Sequence, residues 1–118
     1  YGSINFKVGT ADRTNAQGNI YDAYLSLRTW CVAGVLPDEA LSEAKRVLKP
    51  EGLVMVSFPL RFKDNERTLE NAVEDKIKSI AQWTYSLFED NLESIKTFSA
   101  PEDFFIYGRL KRDWSSYL

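Results

Sequence analysis

The sequence contains no histidine and one cysteine, Cys31. The missing imidazole removes the side chain that most often acts as a general base near neutral pH and most often ligates metals. With one thiol and no histidine, a zinc site of the usual composition is excluded, and no disulfide can form within the chain. No run approaches the roughly 18 apolar residues of a membrane span, and no signal-peptide pattern is present. These absences, with a single thiol that suits a reducing compartment, lead to the expectation of a cytoplasmic protein. Glycines are few, and no G-x-G-x-x-G occurs; Gly2, Gly9 and Gly18 are scattered through the first part of the chain. A phosphate-cradling loop is therefore missing, which weakens a reading as a plain nucleotide-binding regulatory domain. The formal net charge is −2, so no basic surface for nucleic acid or anionic lipid is expected.

What is present is an ordinary globular composition, 44% hydrophobic and 27% charged over 118 residues. Such a chain is expected to form one domain, 1–118, with no linker or internal repeat. It opens on Tyr1 rather than methionine, which suggests a fragment or a processed product.

Periodicity divides the chain into strands and helices. Ile4–Gly9 alternates as a short strand, and Thr10–Asn19 is a polar, turn-rich loop. Tyr21–Leu27 is nearly continuous and apolar after Asp22, which predicts a strand covered on both faces. Pro37–Lys49 predicts a helix, with Ala40, Leu41, Ala44, Val47 and Leu48 on one face. Asp38 and Glu39 in its first turn and Lys45, Arg46 and Lys49 in its last match the helix dipole. Pro50 and Gly52 should end it, and Leu53–Phe58 then reads as a buried strand. Glu66 to about Phe88 is the longest helical pattern. Ser94–Phe98 and Phe104–Leu110 read as two strands joined by a five-residue hairpin loop, Ser99–Asp103. Strands alternating with helices imply an α/β fold with a parallel sheet, and the closing hairpin makes its last strand antiparallel.

Three stretches carry a resemblance: "VGTAD" (Val8–Asp12), "YDAYLSL" (Tyr21–Leu27) and "EAKRVLKPEGLVMVSFP" (Glu43–Pro59). With the element order, they resemble the second, C-terminal half of a class I, Rossmann-like S-adenosylmethionine-dependent methyltransferase. The first looks like the Gly-x-Ala-acid motif after that family's third strand. The second is similar to the aromatic-Asp start of its fourth strand. The third resembles the helix-KPGG-strand signature leading into its fifth strand. Asp12 and Asp22 lie ten positions apart, the separation usual in the menaquinone-biosynthesis-like branch. The resemblance implies a partial methyltransferase sheet containing the equivalents of strands three to seven, with two main helices.

It also implies roles for particular residues. Ala11 and Asp12 would face the adenine of S-adenosylmethionine, Asp12 through its carboxylate. Ser26, Leu27 and Arg28 would line the methionine and sulfonium end, and Trp30, Phe58 and Pro59 would border the substrate. No residue is implied as a catalytic acid or base, and no metal is implied. The residues also have simpler roles open to them. Asp12 can be a solvated loop acid, Asp22 a structural strand-start residue, and Arg28 one half of a surface ion pair. Trp30 and Cys31 can belong to the core, Trp83 and Tyr85 to helix packing, and Arg109, Lys111 and Arg112 to a solvated strand end. Cys31 has no histidine in the chain to activate it as a nucleophile.

The chain departs from the family's pattern at several points. Arg13 is followed by Thr14-Asn15-Ala16 rather than Leu-Pro-Phe, Arg28-Thr29-Trp30-Cys31 carries none of the histidines frequent in that loop, and Glu51 replaces the first glycine of KPGG. The family's front half, with its glycine-rich loop, has no counterpart. The family's sheet runs three-two-one-four-five-seven-six, so the strand at Tyr21–Leu27 should expose an edge open to pairing. Completion by an N-terminal segment, a partner chain or a second copy is expected, the alternative being a rearranged sheet with the first strand beside the second. Two functions follow: methyl transfer from S-adenosylmethionine to a small-molecule acceptor within a completed enzyme, or a non-catalytic methyltransferase-like interaction subunit.

Overall fold

The computed structural model describes residues 8–31, 35–59 and 67–111, with the backbone alone for 67–74. Its elements are β1 (Tyr21–Leu27), α1 (Pro37–Val47), β2 (Leu48–Pro59), α2 (Arg67–Asn91), β3 (Leu92–Ser99) and β4 (Asp103–Leu110). The expected strand at Ile4–Gly9 falls mostly outside the described residues, so its place in the sheet is not described.

The four strands form one sheet in the order β1-β2-β4-β3. β1 and β2 are parallel, whereas β4 runs antiparallel to both β2 and β3. The terminal hairpin folds back so that its second strand enters next to β2 and its first lies at the far edge. This is the four-five-seven-six order that the resemblance implies, with the last strand antiparallel. Among the described residues, β1 is the opposite edge.

Helix α1 begins at Pro37, whose missing N–H costs nothing at the first helical position. It ends at Val47, two residues earlier than expected, because Pro50 disfavours the helical conformation for Lys49 before it. Leu48 is already extended, and its N–H bonds the Ala44 carbonyl. β2 therefore starts at Leu48 rather than Leu53. Glu51, which replaces the family's glycine, adopts φ 65°, a left-handed conformation that a glycine takes without steric cost. Gly52 is required for space: a Cβ there would meet the Lys49 carbonyl oxygen and the Leu48 Cβ at 2.9 Å each. The hairpin loop is three residues rather than five, closed by the Ala100 N–H donating to the Asp103 carbonyl at 2.8 Å.

Both helices pack on one side of the sheet. Tyr24, Val54, Val56, Phe58, Ile106 and Leu110 form the floor of the core, and Ala40, Leu41, Ala44, Val47, Ile77 and Phe88 its helical cover. The expectation that β1 is covered on both faces is corrected. Tyr24 and Ser26 are buried beneath the helices, but Leu25 and Leu27 on the opposite face are 61% and 60% exposed. The strand registers place Leu27, Ser57, Phe105 and Phe98 in one row of that face, and Leu25, Met55, Tyr107 and Lys96 in the next. Within these rows Leu25, Leu27 and Phe98 stand exposed, whereas Ser57 is buried, and Phe98 stacks on Phe105 with ring centroids 4.5 Å apart. Among the described residues, no helix is long and apolar enough to cross a membrane.

Candidate functional site

In an open α/β sheet, ligands collect beyond the carboxyl ends of the parallel strands. Here that edge is formed by Ser26 and Leu27 closing β1, Arg28 just after it, and Phe58 and Pro59 closing β2. Loop 8–20 lies over the helix-side face of β1.

The loop is held to α1 by a buried carboxylate. Glu43 accepts hydrogen bonds from the backbone N–H and hydroxyl of Thr14, both at 2.7 Å, and from Arg46 Nε and Nη2 at 2.6 and 2.9 Å. Arg46 Nη2 also donates to the Ala16 carbonyl at 2.7 Å, and Asn19 N–H donates to the Arg46 carbonyl at 2.9 Å. The Arg46 bonds, with those from Thr14, pull the Glu43 carboxyl down to about 2 against the opposing effect of burial. A depressed folded-state pKa means that this stabilisation is present above the unfolded-state value, about 4.3, and is lost as pH falls through the folded value. Glu43→Gln should therefore flatten the loss of stability between about pH 4.3 and pH 2 by roughly one proton. Urea titrations at a series of pH values measure this, and an unchanged slope would show that Glu43 is not linked to folding.

Within the loop, Thr10 and Arg13 bond each other's backbones in both directions at 3.0 Å. This turn carries Ala11 and Asp12 at its tip. The Ala11 carbonyl accepts the Tyr24 hydroxyl at 3.0 Å, and Tyr24 in turn accepts Trp30 Nε1–H at 3.4 Å. Asp12 Oδ1 accepts the Thr10 hydroxyl at 2.5 Å. Burial raises the Tyr24 pKa, so the phenol stays a protonated donor at neutral pH. The position of the Asp12 carboxylate thus depends on a chain that begins in the core.

Trp30 is that core residue. It is fully buried, edge-on to Tyr24 and Phe88 with centroids 6.3 and 6.0 Å away. Its structural place is the packing role, and its ring offers no open face to a substrate. Cys31 donates to the Arg28 carbonyl at 3.6 Å, and burial raises its pKa, which keeps the thiol protonated.

Arg28 leaves β1 at φ 55°. Its N–H lies 3.1 Å from the Ser57 carbonyl and 3.0 Å from the Ser57 hydroxyl. Its guanidinium forks onto Asp103, Nε to Oδ1 at 2.6 Å and Nη2 to Oδ2 at 2.9 Å, with Glu102 at 3.9 Å. The hydrogen bonding raises the Arg28 pKa and lowers that of Asp103. The pair spans the carboxyl end of β2 and joins β1 to β4. Arg28 is thereby committed to Asp103, while the flanking Ser26 and Leu27 point to opposite faces of the sheet. Phe58 and Pro59 border a cavity of about 360 Å³ on the helix side, together with Ile77, Ala81 and Phe104.

The remaining sequence candidates have structural places. Asp22 meets Lys49 at 3.3 Å in an exposed ion pair. Arg109 donates to the Glu51 carbonyl at 3.2 Å. Lys111 reaches the carbonyls of Glu89 and Asp90 in the last turn of α2. Trp83 and Tyr85 are 42% and 40% exposed on α2, and Arg112 lies outside the described residues. Among the described residues, no group of three potential metal ligands occurs. Glu43, Thr14 and Asp103 hold the site together although the sequence motifs do not single them out. The signal for Glu43 was its position three residues after Ala40 and four before Val47, a charge on the apolar stripe. Asp103 had no local signal, because its partner is 75 residues away.

A family model described as a methyltransferase domain matches residues 1–56. No curated protein matches the chain. Solved structures, among them the two below, share its fold. One, from Thermotoga maritima, is described as an S-adenosylmethionine-dependent methyltransferase and a possible histamine N-methyltransferase. It has a TM-score of 0.56 and 22% identity, over 87% of this chain and 62% of that one. The other, from Methanococcus maripaludis, is described as a candidate S-adenosyl-L-methionine-dependent methyltransferase. It also has a TM-score of 0.56, with 16% identity over 89% of this chain and 53% of that one. The chain therefore spans less than two thirds of each neighbour's length. At these identities the likeness establishes the fold, a partial Rossmann-like methyltransferase sheet.

Proposed function

We propose that this chain is the C-terminal half of a class I S-adenosylmethionine-dependent methyltransferase of the menaquinone-biosynthesis-like branch, acting on a small-molecule acceptor once completed by further polypeptide. The observation that carries this reading is the sheet, β1-β2-β4-β3 with only β4 reversed, found in a chain whose residues 1–56 match a methyltransferase-domain model. The ten-residue separation of Asp12 and Asp22 supports the branch.

The residues present fit one end of the cofactor. Asp12 is a partly exposed carboxylate at the tip of an anchored turn, and an ionised carboxylate, which can only accept, suits an adenine amino group. Among the described residues at the end of β1, the charged donor Arg28 is committed to Asp103, so the methionine end would be met by the family's glycine-rich loop. When bound, S-adenosylmethionine supplies a methyl group on a positively charged sulfur, and the protein's task is chiefly alignment. This chain contributes by fixing Asp12 through Glu43, Tyr24 and Trp30, and by tying β1 to β4 through Arg28 and Asp103. The absence of histidine is compatible with acceptors that need no general base. The completing segment would pair with the edge of β1 that is unpaired among the described residues and cover the apolar face behind it.

The second reading, a non-catalytic interaction subunit, is favoured by the missing glycine-rich loop and that same open face. S-adenosylmethionine binding separates the two. In the completed protein, Asp12→Ala should weaken binding about tenfold, the weight of a charge-assisted hydrogen bond of roughly 1.5 kcal/mol. Calorimetry checks this, and unchanged affinity would remove Asp12 from the site.

A further inference from the structure

The cavity at the end of β2 is the described feature that the Arg28 and Asp12 contacts leave unexplained. Its floor and walls are apolar: Phe58, Ile77, Ala81 and Phe104. Lys78 and Gln82 line it from the same helix, with Pro59 at the end of the strand. Phe58 and Phe104 are cross-strand partners in the β2–β4 ladder, so the floor is set by the sheet and not by a loop. The volume, about 360 Å³, lies within the range of small-molecule pockets, roughly 300–1,000 Å³. A second hollow, about 500 Å³, continues along α2 towards Tyr85 and Thr97 and shares Ala81, Gln82 and Phe104 as walls. The two hollows share these walls and together form a trough along α2. Among the described residues, Lys78 is the one charged residue lining either hollow, and no carboxylate is among those walls.

We propose that this trough between α2 and the β2–β4 pair binds an elongated apolar molecule with an anionic end, such as a carboxylate, and, resting on the methyltransferase reading above, that it is the acceptor's site. The apolar walls offer nothing to a polar body, whose desolvation would go uncompensated. Burial of an alkyl or aryl chain is favoured at about 25 cal/mol per Å² of apolar surface. Lys78 supplies the charge that selects the anion, and Gln82 offers an amide to the same end. The trough reaches Pro59, the cross-strand partner of Asp103, so an occupant would extend from that strand end along α2.

Sodium decanoate, below its micellar concentration, is the probe. Titrated into the isotopically labelled chain, it should give saturable amide shifts centred on residues 77–86 and on Phe104. Ala81→Trp, which fills the trough, should abolish them. Lys78→Gln should weaken binding about two- to fivefold, the range of one exposed ion pair, and decanol should bind the wild type more weakly than decanoate. The wild-type shift map alone overturns the proposal if it centres on Leu25, Met55 and Tyr107 of the opposite sheet face, or if it shows no saturable response. Retained binding in a folded Ala81→Trp variant also overturns it. Decanoate is read without S-adenosylmethionine, so a failed trough and a failed methyltransferase reading are separate results.

Discussion

Replacing Trp30 with alanine should cost about 3–5 kcal/mol of folding stability, the range for truncating a fully buried large aromatic. Trp30 is 0% exposed, and its ring fills the space between Tyr24 on β1 and Phe88 on α2. Alanine leaves a cavity that these neighbours can close only by moving the helix towards the sheet, which packing elsewhere resists. The lost N–H also leaves the Tyr24 hydroxyl, which anchors Ala11, without the donor that Trp30 supplies. Against a total stability of roughly 5–15 kcal/mol, such a loss brings the domain close to unfolding at ordinary temperature. Trp30→Phe keeps most of the packing and loses the hydrogen bond, so its cost should be smaller, about 1–2 kcal/mol. Urea midpoints rank the three proteins. A Trp30→Ala loss below about 1 kcal/mol would mean that the tryptophan is not the keystone of this core.

The second large effect concerns the uncovered side of the sheet. A parallel strand pair is ordinarily covered on both faces, yet here Leu25 and Leu27 stand 61% and 60% exposed beside Met55, Phe105 and Tyr107. The isolated chain should therefore self-associate in a concentration-dependent way, since an apolar face next to a strand edge that is unpaired among the described residues favours contact. Leu25→Lys together with Leu27→Lys should suppress this association. The same pair should change the chain's own stability little, within about 0.5 kcal/mol per site, because both positions are exposed. In a completed protein the double variant should prevent assembly, since each leucine contributes up to about 1.5–3 kcal/mol on burial and a lysine there would be desolvated. Sedimentation velocity measures the first effect. A wild-type chain that stays monomeric at high concentration would contradict the assignment of this face as a buried surface.

Much of the fold was legible because its signals are local. The apolar stripe of α1, the Pro50 and Gly52 stop and the continuous apolar run of β2 act within a few residues of one another. The pairing order was legible only through the resemblance, since no local signal states that β4 enters between β2 and β3. What sequence missed is long-range or one-sided. The continuous apolar character of β1 predicted cover on two faces, and only one is covered among the described residues. Arg28 was a candidate for the methionine end, and its fork onto Asp103 arises from a hairpin that returns far along the chain. Trp30 was placed both at a substrate wall and in the core, and its burial between β1 and α2 assigns it to the core. Glu43 was visible as a charge on an apolar stripe, but its partner Thr14 lies 29 residues earlier in a loop with no periodic pattern. For Asp12, the turn that presents it follows from Thr10 and Arg13, while its anchor through Tyr24 is tertiary.

The central claim is that this chain borders an S-adenosylmethionine site that it does not close alone. Calorimetric titration of S-adenosylmethionine is the most direct test, made on the isolated chain and again on the chain joined to, or mixed with, a segment carrying a strand and a glycine-rich loop. No heat of binding to the isolated chain, and stoichiometric binding after completion, is the result expected. Stoichiometric binding to residues 1–118 alone, or none after completion, would contradict it.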